Sequence, residues 1–169
     1  IFEDEDGTIA ACTRDGLNIK RLGSETFEDI SSKYFTFKNS SNYFRNILRE
    51  KNGKLWILTY DGLIQTDSFS KFKSGTFSLY KHERNNPASI SHNQTMSILQ
   101  DRSGVIWLGT ESGLNKYSPY ENQFYTVGGD VVETLQEQTA TDYSPYKDGL
   151  LTLTLSEGIL YSQNKKTEK

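Results

Sequence analysis

The feature that most constrains this chain is a pair of glycines that recurs four times with constant internal spacing. The first glycines of the pairs are Gly7, Gly53, Gly104 and Gly149, and the second glycines are Gly16, Gly62, Gly113 and Gly158. The two members of every pair stand nine residues apart, whereas successive pairs follow at intervals of 46, 51 and 45 residues. A rigid unit bounded by two glycines is therefore repeated, and the variable length lies between the units.

Each unit has the pattern of short strands joined by tight turns. Asn-Gly or Asp-Gly dipeptides occur at 6–7, 15–16, 52–53, 61–62 and 148–149. Such dipeptides favour type I′ hairpin turns, in which glycine supplies positive φ at a central position. The segments between the two glycines, such as KLWILT and VIWLGT, have strand length and are apolar on both faces. We therefore expect each of them to be a central strand covered on both sides.

The length of the repeat indicates which architecture the chain adopts. Further short strands precede the first glycine and follow the second, and aromatic segments at 77–81 and 123–127 fit a fourth strand. Four strands in roughly 47 residues is the period of a β-propeller blade. An immunoglobulin-like sandwich lacks such a fourfold repeat, and a β-solenoid has a shorter period. We predict an all-β fold, a β-propeller segment of four-stranded antiparallel blades.

The predicted segment amounts to about three and a half blades of a larger propeller. Its repeat cores are 1–19, 47–65, 98–116 and 143–161. Because the sequence begins without a methionine and inside a strand pattern, we expect residues 1–169 to be an excerpt from a longer chain, completed by the remaining blades of the same polypeptide. Residues 130–138 have the best helical pattern and are predicted as a short insertion.

Composition excludes several classes of partner. The net charge of −3 is opposite in sign to that of a surface that follows nucleic acid phosphates, so we predict no nucleic acid partner. No apolar run approaches the roughly 18 residues of a membrane helix, so no membrane segment is predicted. The single cysteine, Cys12, excludes an internal disulfide and a zinc site made of several cysteines.

The sequence contains no motif for catalysis, a cofactor or a metal. His82 and His92 are the only histidines, and neither lies in an H-E-x-x-H motif. The acidic stretch EDEDG at 3–7 lacks calcium-loop spacing because Phe2 occupies the first ligand position. We therefore predict no catalytic residue, no cofactor and no metal site. A carboxylate pair assembled across blades, as in propeller glycosidases, is the catalytic alternative that the sequence leaves open.

Residues 85–127 resemble the two-component regulator propeller repeat. They contain its Asn- and Ser-rich lead-in, an apolar and then acidic strand, a glycine turn, IWLGT, and then GL followed by an aromatic residue. Weaker copies of the pattern lie at 51–63, 4–17 and 147–161. In the last two copies the turns remain, but Ala10 and Thr152 replace the tryptophan.

The resemblance implies a role in signal transduction. Such repeats are typical of periplasmic sensor regions of bacterial hybrid two-component systems, many of which respond to oligosaccharides. The implied role is a non-catalytic segment that contributes to oligosaccharide sensing and to signal transmission to a histidine kinase outside this chain, with a homodimer in the full-length protein. A carbohydrate-active enzyme on a propeller scaffold and a purely architectural or dimerisation segment are the alternatives.

Strand alternation indicates where a ligand would bind. Loops that enter an innermost strand and turns between the second and third strands must share one face of an antiparallel blade. Asn, His, Tyr and carboxylate side chains there can bond hydroxyl groups or stack on a sugar ring. The candidate ligand-binding residues are Asn42, Tyr43, Tyr60, Asp61, His92, Asn93 and Glu111. For Asn42 and Asn93, capping of a turn is the alternative.

Two further residue types are assigned to the core. Trp56 and Trp107 occupy matched positions, and we expect them to pack between blades, with sugar stacking as the alternative. Cys12 falls on the corresponding strand of the first unit. We expect it to be a small, buried and unreactive thiol.

Overall fold

The structure is a computed structural model that describes residues 1–35, 43–119 and 123–127, and the backbone of three further strands within 140–162. The first sheet contains β1 (Phe2–Glu3), β2 (Ile9–Thr13), β3 (Gly16–Lys20) and β4 (Glu28–Asp29). The second contains β5 (Phe44–Arg49), β6 (Leu55–Thr59), β7 (Gly62–Thr66) and β8 (Ser78–Tyr80), with the helix α1 (Phe69–Lys73) before β8. The third contains β9 (Thr95–Gln100), β10 (Ile106–Thr110), β11 (Gly113–Ser118) and β12 (Gln123–Thr126). The fourth contains β13 (Ala140–Pro145), β14 (Leu151–Leu155) and β15 (Gly158–Ser162).

The four sheets are successive blades of a partial all-β propeller. Within each sheet, neighbouring strands pair antiparallel in chain order. The first strands of the second, third and fourth blades are neighbours, because β9 contacts both β5 and β13. The second strand of the first blade, β2, contacts β5. The prediction of four-stranded antiparallel blades is confirmed for the first three sheets. The insertion predicted at 130–138 lies outside the described residues.

The central strand of the second blade is covered on both faces, as its sequence predicted. All five residues of β6 are buried. Leu55 and Ile57 point into the apolar cluster shared with the first blade, and Trp56 and Leu58 point into the cluster shared with the third. The period-two alternation of a strand therefore sends alternate side chains to opposite neighbours.

The turns differ in detail from the prediction. In the lower turns, defined as those after the first strand of each blade, the N–H of Gly7 donates to the carbonyl of Asp4 at 2.9 Å, and Gly53 and Gly104 make the same bond. The glycine is thus the fourth residue of the turn, with φ of 78° to 92°, and not a central residue of a type I′ turn. This is the pattern of a three-residue hairpin loop that closes with a left-handed glycine.

The second glycines also stand at the end of their turns. Gly16, Gly62 and Gly113 pair with a threonine three residues earlier, so the turn itself consists of the two residues between them. That threonine hydroxyl donates to the glycine carbonyl in all three blades, for example from Thr59 to Gly62 at 2.7 Å. The repeated unit is therefore a Thr-x-x-Gly turn, which the glycine spacing alone did not indicate.

The innermost strands share a β-bulge that the sequence analysis missed. In β5, the pairing with β6 skips one residue between Phe44 and Asn46, so Arg45 is the extra residue. The pairing of β9 and of β13 shifts at the matched place, where Met96 and Thr141 are extra. A bulge bends the strand and redirects the side chain of the inserted residue.

Candidate ligand-binding face

The two sets of loops predicted to share a face do lie together. We call this face, with the turns at 14–15, 60–61 and 111–112, Tyr43 before β5 and residues 91–94 before β9, the upper face. The N–H of Tyr60 donates to the carbonyl of Tyr43 at 3.0 Å. The N–H of Glu111 donates to the carbonyl of Gln94 at 3.1 Å, which is the matched bond one blade later. Backbone bonds therefore hold each turn against the loop that enters the same blade.

Two tyrosines and two arginines form a cluster on the upper face. The rings of Tyr43 and Tyr60 meet edge to face, with centroids 5.0 Å apart. The guanidinium carbon of Arg14, from the first blade, lies 5.1 Å from the Tyr43 ring, and that of Arg45 lies 4.6 Å from the Tyr60 ring. Both arginines are exposed and both tyrosines are half-buried. We call these four residues the Tyr–Arg cluster, and it spans the junction of the first two blades.

Asp61 is engaged by a lysine that the sequence analysis did not single out. Lys81, which follows β8, donates from Nζ to the Asp61 carboxylate at 2.7 Å. Both side chains are about two-fifths exposed, so water screens the pair and its contribution to stability is small. The pair fixes the position of a carboxylate at the rim of the upper face.

Asn93 caps the loop in which it lies. Its side-chain oxygen accepts the backbone N–H of His82 at 2.7 Å, and Nδ1 of His82 lies 2.8 Å from the carbonyl of Ile90. The capping alternative therefore describes the amide oxygen of Asn93. Among the described residues, no hydrogen bond from its amide nitrogen is found, so this group is available to a ligand.

His92 and Glu111 approach each other across the loop and the turn of the third blade. The Nδ1 atom of His92 lies 3.5 Å from a Glu111 carboxylate oxygen and accepts the N–H of Gln94 at 3.1 Å. The Glu111 side chain is 43% exposed, so its carboxylate is accessible to a hydroxyl group of a ligand.

The structure brings some predicted site residues together and keeps others apart. Tyr43 and Tyr60 form one group, and His92 with Glu111 forms another. Within the described ranges, no side-chain hydrogen bond or ring contact joins the two groups. Asn42 lies outside the described residues. Arg45 gave no signal in the sequence because the bulge that exposes it depends on pairing between strands.

The tryptophans occupy matched positions, but their environments differ. The Trp56 indole is fully buried and packs against Tyr80, Tyr117 and Phe124. This confirms blade packing for Trp56 and removes sugar stacking there. Trp107 is partly exposed, and its Nε1 donates to Asp101 at 2.9 Å.

An acidic residue six positions before each tryptophan explains part of the repeat pattern. Trp56 Nε1 donates to Glu50 in the same way that Trp107 Nε1 donates to Asp101. The acidic residue directly after the first strand therefore satisfies the polar end of a large apolar side chain. The acidic residue and the tryptophan of the repeat pattern are therefore joined by a hydrogen bond.

Cys12 packs at the edge of the cluster between the first two blades. Burial raises the pKa of its thiol to about 11. The thiol is therefore protonated at neutral pH, which agrees with the predicted low reactivity. The side chain is only partly buried, and not buried as predicted, because it lies at the edge of the cluster.

Several carboxylates of the described residues are occupied by structural bonds. The two buried ones, Asp4 and Glu50, accept from Arg49 and from Trp56. Hydrogen bonds from Thr8 lower the pKa of Asp6. Partial burial acts to raise the pKa of Asp29 and Asp101, but hydrogen bonds from neighbouring residues outweigh it and lower both values.

The part of the chain that the structure describes contains no set of three histidine, cysteine or acidic side chains positioned to hold a metal ion. Over the same residues, no helix has the length and apolar character required to cross a bilayer.

Comparisons with known proteins agree with the repeat seen in the sequence. The family model described as the two-component regulator propeller matches residues 89–112, in the third blade. This match confirms the resemblance to that repeat. None of the curated proteins matches the sequence.

Similar solved structures include extracellular domains of hybrid two-component systems from B. thetaiotaomicron. The domain of BT4673 is 21% identical with a TM-score of 0.73, over 97% of this chain and 20% of that one. The domain of BT3049 is 18% identical with a TM-score of 0.68, over 96% of this chain and 24% of that one. This chain therefore spans about a fifth to a quarter of these relatives, and the likeness shows the fold.

An enzyme shares the architecture at a greater distance. A virginiamycin B lyase from Staphylococcus aureus is 10% identical with a TM-score of 0.56, over 96% of this chain and 54% of that one. Propellers thus serve as both sensors and enzymes, and the fold alone does not choose between them.

Proposed function

We propose that this chain is a non-catalytic sensor segment from the periplasmic region of a hybrid two-component system. In this proposal the upper face contacts an oligosaccharide, and the bound state is transmitted to a histidine kinase elsewhere in the polypeptide. The repeat match at 89–112 and the likeness to two extracellular sensor domains support the sensor role and the location.

The observation that carries the proposal is the Tyr–Arg cluster. Half-buried tyrosine rings beside exposed donors give a sugar both a flat apolar face and hydrogen bonds. The rings are held by their own edge-to-face contact and by the bond from Tyr60 to Tyr43. Because the rings are already held in place, binding of a ligand there would cost little free energy for ordering protein side chains.

The state of the carboxylates supports a role without catalysis. A general acid that works near neutral pH needs a raised pKa. Where a carboxyl pKa is shifted among the described residues, it is lowered, as in Asp6, Asp29 and Asp101. The two buried carboxylates are already bonded to other side chains. These groups suit structural bonds better than proton transfer.

Direct bonds between blades offer a route for a signal. On the lower side, the Lys51 N–H donates to the Gln100 side chain at 2.8 Å, and its Nζ donates to the carbonyls of Asp101 and Arg102. A ligand that favours one arrangement of adjacent blades would shift the population of that arrangement. The Tyr–Arg cluster is placed to do so because it contains residues of two blades.

A glycan screen tests the proposal. Calorimetry of the full-length protein against a panel of neutral and charged oligosaccharides should find at least one ligand. Tyr60→Ala should weaken that ligand's binding on the order of ten-fold, because it removes a stacking face. Phe27→Ala is the matched control, since Phe27 is an exposed aromatic residue in the loop between β3 and β4.

The result that would overturn the sensor proposal is equally concrete. Absence of binding across the whole panel would contradict it. Turnover of a glycan by the purified protein would instead favour the carbohydrate-active enzyme.

A further inference from the structure

The two arginines of the Tyr–Arg cluster contact aromatic rings and form no ion pair with a described carboxylate. Arg49, Lys73 and Lys81 each contact a carboxylate. Arg14 and Arg45 instead lie over tyrosine rings, and no ion pair with either is found within the described ranges. Two exposed guanidinium groups at one junction of blades are thus left with aromatic partners alone.

Stacking on tyrosine favours a particular kind of ligand contact. A guanidinium group held over a ring keeps its plane fixed while its N–H groups at the edge remain free. Those N–H groups match two oxygens of a carboxylate or a sulfate. A neutral sugar hydroxyl cannot use both the charge and the fork geometry.

The bulge explains why Arg45 is available. As the extra residue of β5, it is exposed, although Phe44 beside it is buried. The matched extra residues of the next two blades are Met96 and Thr141, which carry no charge. Of these three bulges, only the one in the second blade has a positively charged extra residue.

We infer that the upper face recognises an acidic glycan, and that Arg14 and Arg45 bind its carboxylate or sulfate group above Tyr43 and Tyr60. This inference rests on the proposed sensor function and specifies its ligand class. It makes Arg45 a residue that determines specificity and the bulge the feature that positions it.

The test compares charged and neutral probes on the full-length protein. Calorimetry would use trigalacturonate, a sulfated disaccharide and neutral maltotriose. We expect one of the two anionic probes to bind, maltotriose to bind at least ten-fold more weakly, and binding of the anion to weaken with added salt. The anionic probe that binds distinguishes a carboxylate from a sulfate ligand.

Two matched variants separate a site from general charge. Arg45→Gln should weaken binding of the anionic probe by about ten-fold to a hundred-fold, as expected for loss of a charged hydrogen-bonding partner. Arg102→Gln removes the same charge from an exposed lower turn and should leave affinity unchanged. Melting temperatures of both variants should match that of the parent, which shows that the fold is retained.

Each outcome decides the inference. Tighter binding of maltotriose, or equal affinity in Arg45→Gln, would overturn the acidic-glycan inference while leaving the sensor proposal intact. Failure of both anionic probes would also overturn it. Failure of the whole glycan panel would count against the sensor proposal itself.

Discussion

At the scale of single residues, glycines with similar backbone angles differ in what their surroundings allow. Gly62 and Gly113 end matched turns, with φ of 130° and 121°. A Cβ at Gly62 would lie 2.5 Å from the carbonyl oxygen of Tyr80, whereas a Cβ at Gly113 would have no atom within 4 Å. A side chain at position 62 is therefore disfavoured both by the positive φ and by lack of space, whereas a side chain at position 113 is disfavoured by φ alone.

We expect Gly62→Ala to destabilise the protein by about 1–3 kcal/mol more than Gly113→Ala, because β8 must move to admit the methyl group. Urea denaturation of both variants measures the difference. Gly113→Ala is the matched control, since it carries the same cost of positive φ. Equal losses of stability would contradict the role of the Tyr80 carbonyl.

Asp101 links stability to pH. Its pKa in the folded protein is lowered, so its contribution is fully present above the unfolded value near 3.8 and is lost as the pH falls through the folded value. Asp101→Asn should cost about 1 kcal/mol near neutral pH, a modest figure because the site is partly solvated. That difference should shrink in denaturation experiments at more acidic pH, below the unfolded value.

The exposed Glu25 provides a control for this experiment. Glu25 lies in the loop after β3, and the Glu25→Gln substitution should change the free energy of unfolding little at any pH. A loss in Asp101→Asn that stayed constant down to strongly acidic pH would show that the carboxylate charge is not responsible.

At this scale the sequence predicted residue types better than residue roles. Trp56 was correctly assigned to the core because a large apolar side chain on a doubly covered strand has nowhere else to go. The capping alternative for Asn93 did not name its partner, and the ion pair of Asp61 was not predicted. Their partners, His82 and Lys81, are polar residues in a long loop, where no periodic pattern indicates which groups will meet.

At the scale of elements, one threonine joins two blades. Thr95 at the start of β9 is fully buried, and its hydroxyl accepts the N–H of Thr59 at 3.0 Å and donates to the Thr59 carbonyl at 2.8 Å. The end of a central strand is thereby attached to the innermost strand of the next blade. A buried backbone N–H would lose this partner if the hydroxyl were removed.

Thr95→Val should lower the free energy of unfolding by about 1–3 kcal/mol, because the isosteric side chain leaves the Thr59 groups without a partner. Thr95→Ser keeps the hydroxyl and should lose less. Thermal denaturation of the two variants provides the comparison. A more stable valine variant than serine variant would show that packing dominates over these bonds.

Elements were predicted where they follow the repeat and missed where they do not. The hairpins of the first three blades follow from glycine spacing and apolar alternation. The helix α1 was missed because it has five residues, too few for a periodic signal. Its buried Phe69 and Phe72, together with capping by Ser68, become intelligible only once the neighbouring core is known. The bulges were missed because register is a property of two strands.

At the scale of the whole molecule, the blades form a row in which each contacts its neighbours. The apolar clusters are shared between the first and second blades and between the second and third. Polar links follow the same rule, as with the ion pair between Asp4 of the first blade and Arg49 of the second. Stability in such arrays is a sum of blade terms and interface terms.

Arg49→Gln should therefore weaken the interface between the first and second blades. The Asp4 side chain is only 7% exposed, so loss of its partner leaves a nearly buried charge and should cost about 3 kcal/mol. Hydrogen exchange should rise in β2 and β3 while amides of β10 and β11 remain protected. Uniform loss of protection across all blades would contradict the view of blades as separable units.

The double variant with Asp4→Asn provides the control. Since the second substitution removes the stranded charge, the double variant should be more stable than the sum of the two single effects predicts. Additive effects would show that the two side chains do not interact energetically.

The matched tryptophans give the molecule an optical label in each of two adjacent blades. They are the only two tryptophans of the chain, and one is fully buried while the other is partly exposed. A soluble quencher should therefore reach the fluorescence of Trp107 before that of Trp56. Substituting either indole by phenylalanine would leave a single reporter, so the opening of one blade can be followed by emission without attaching a dye.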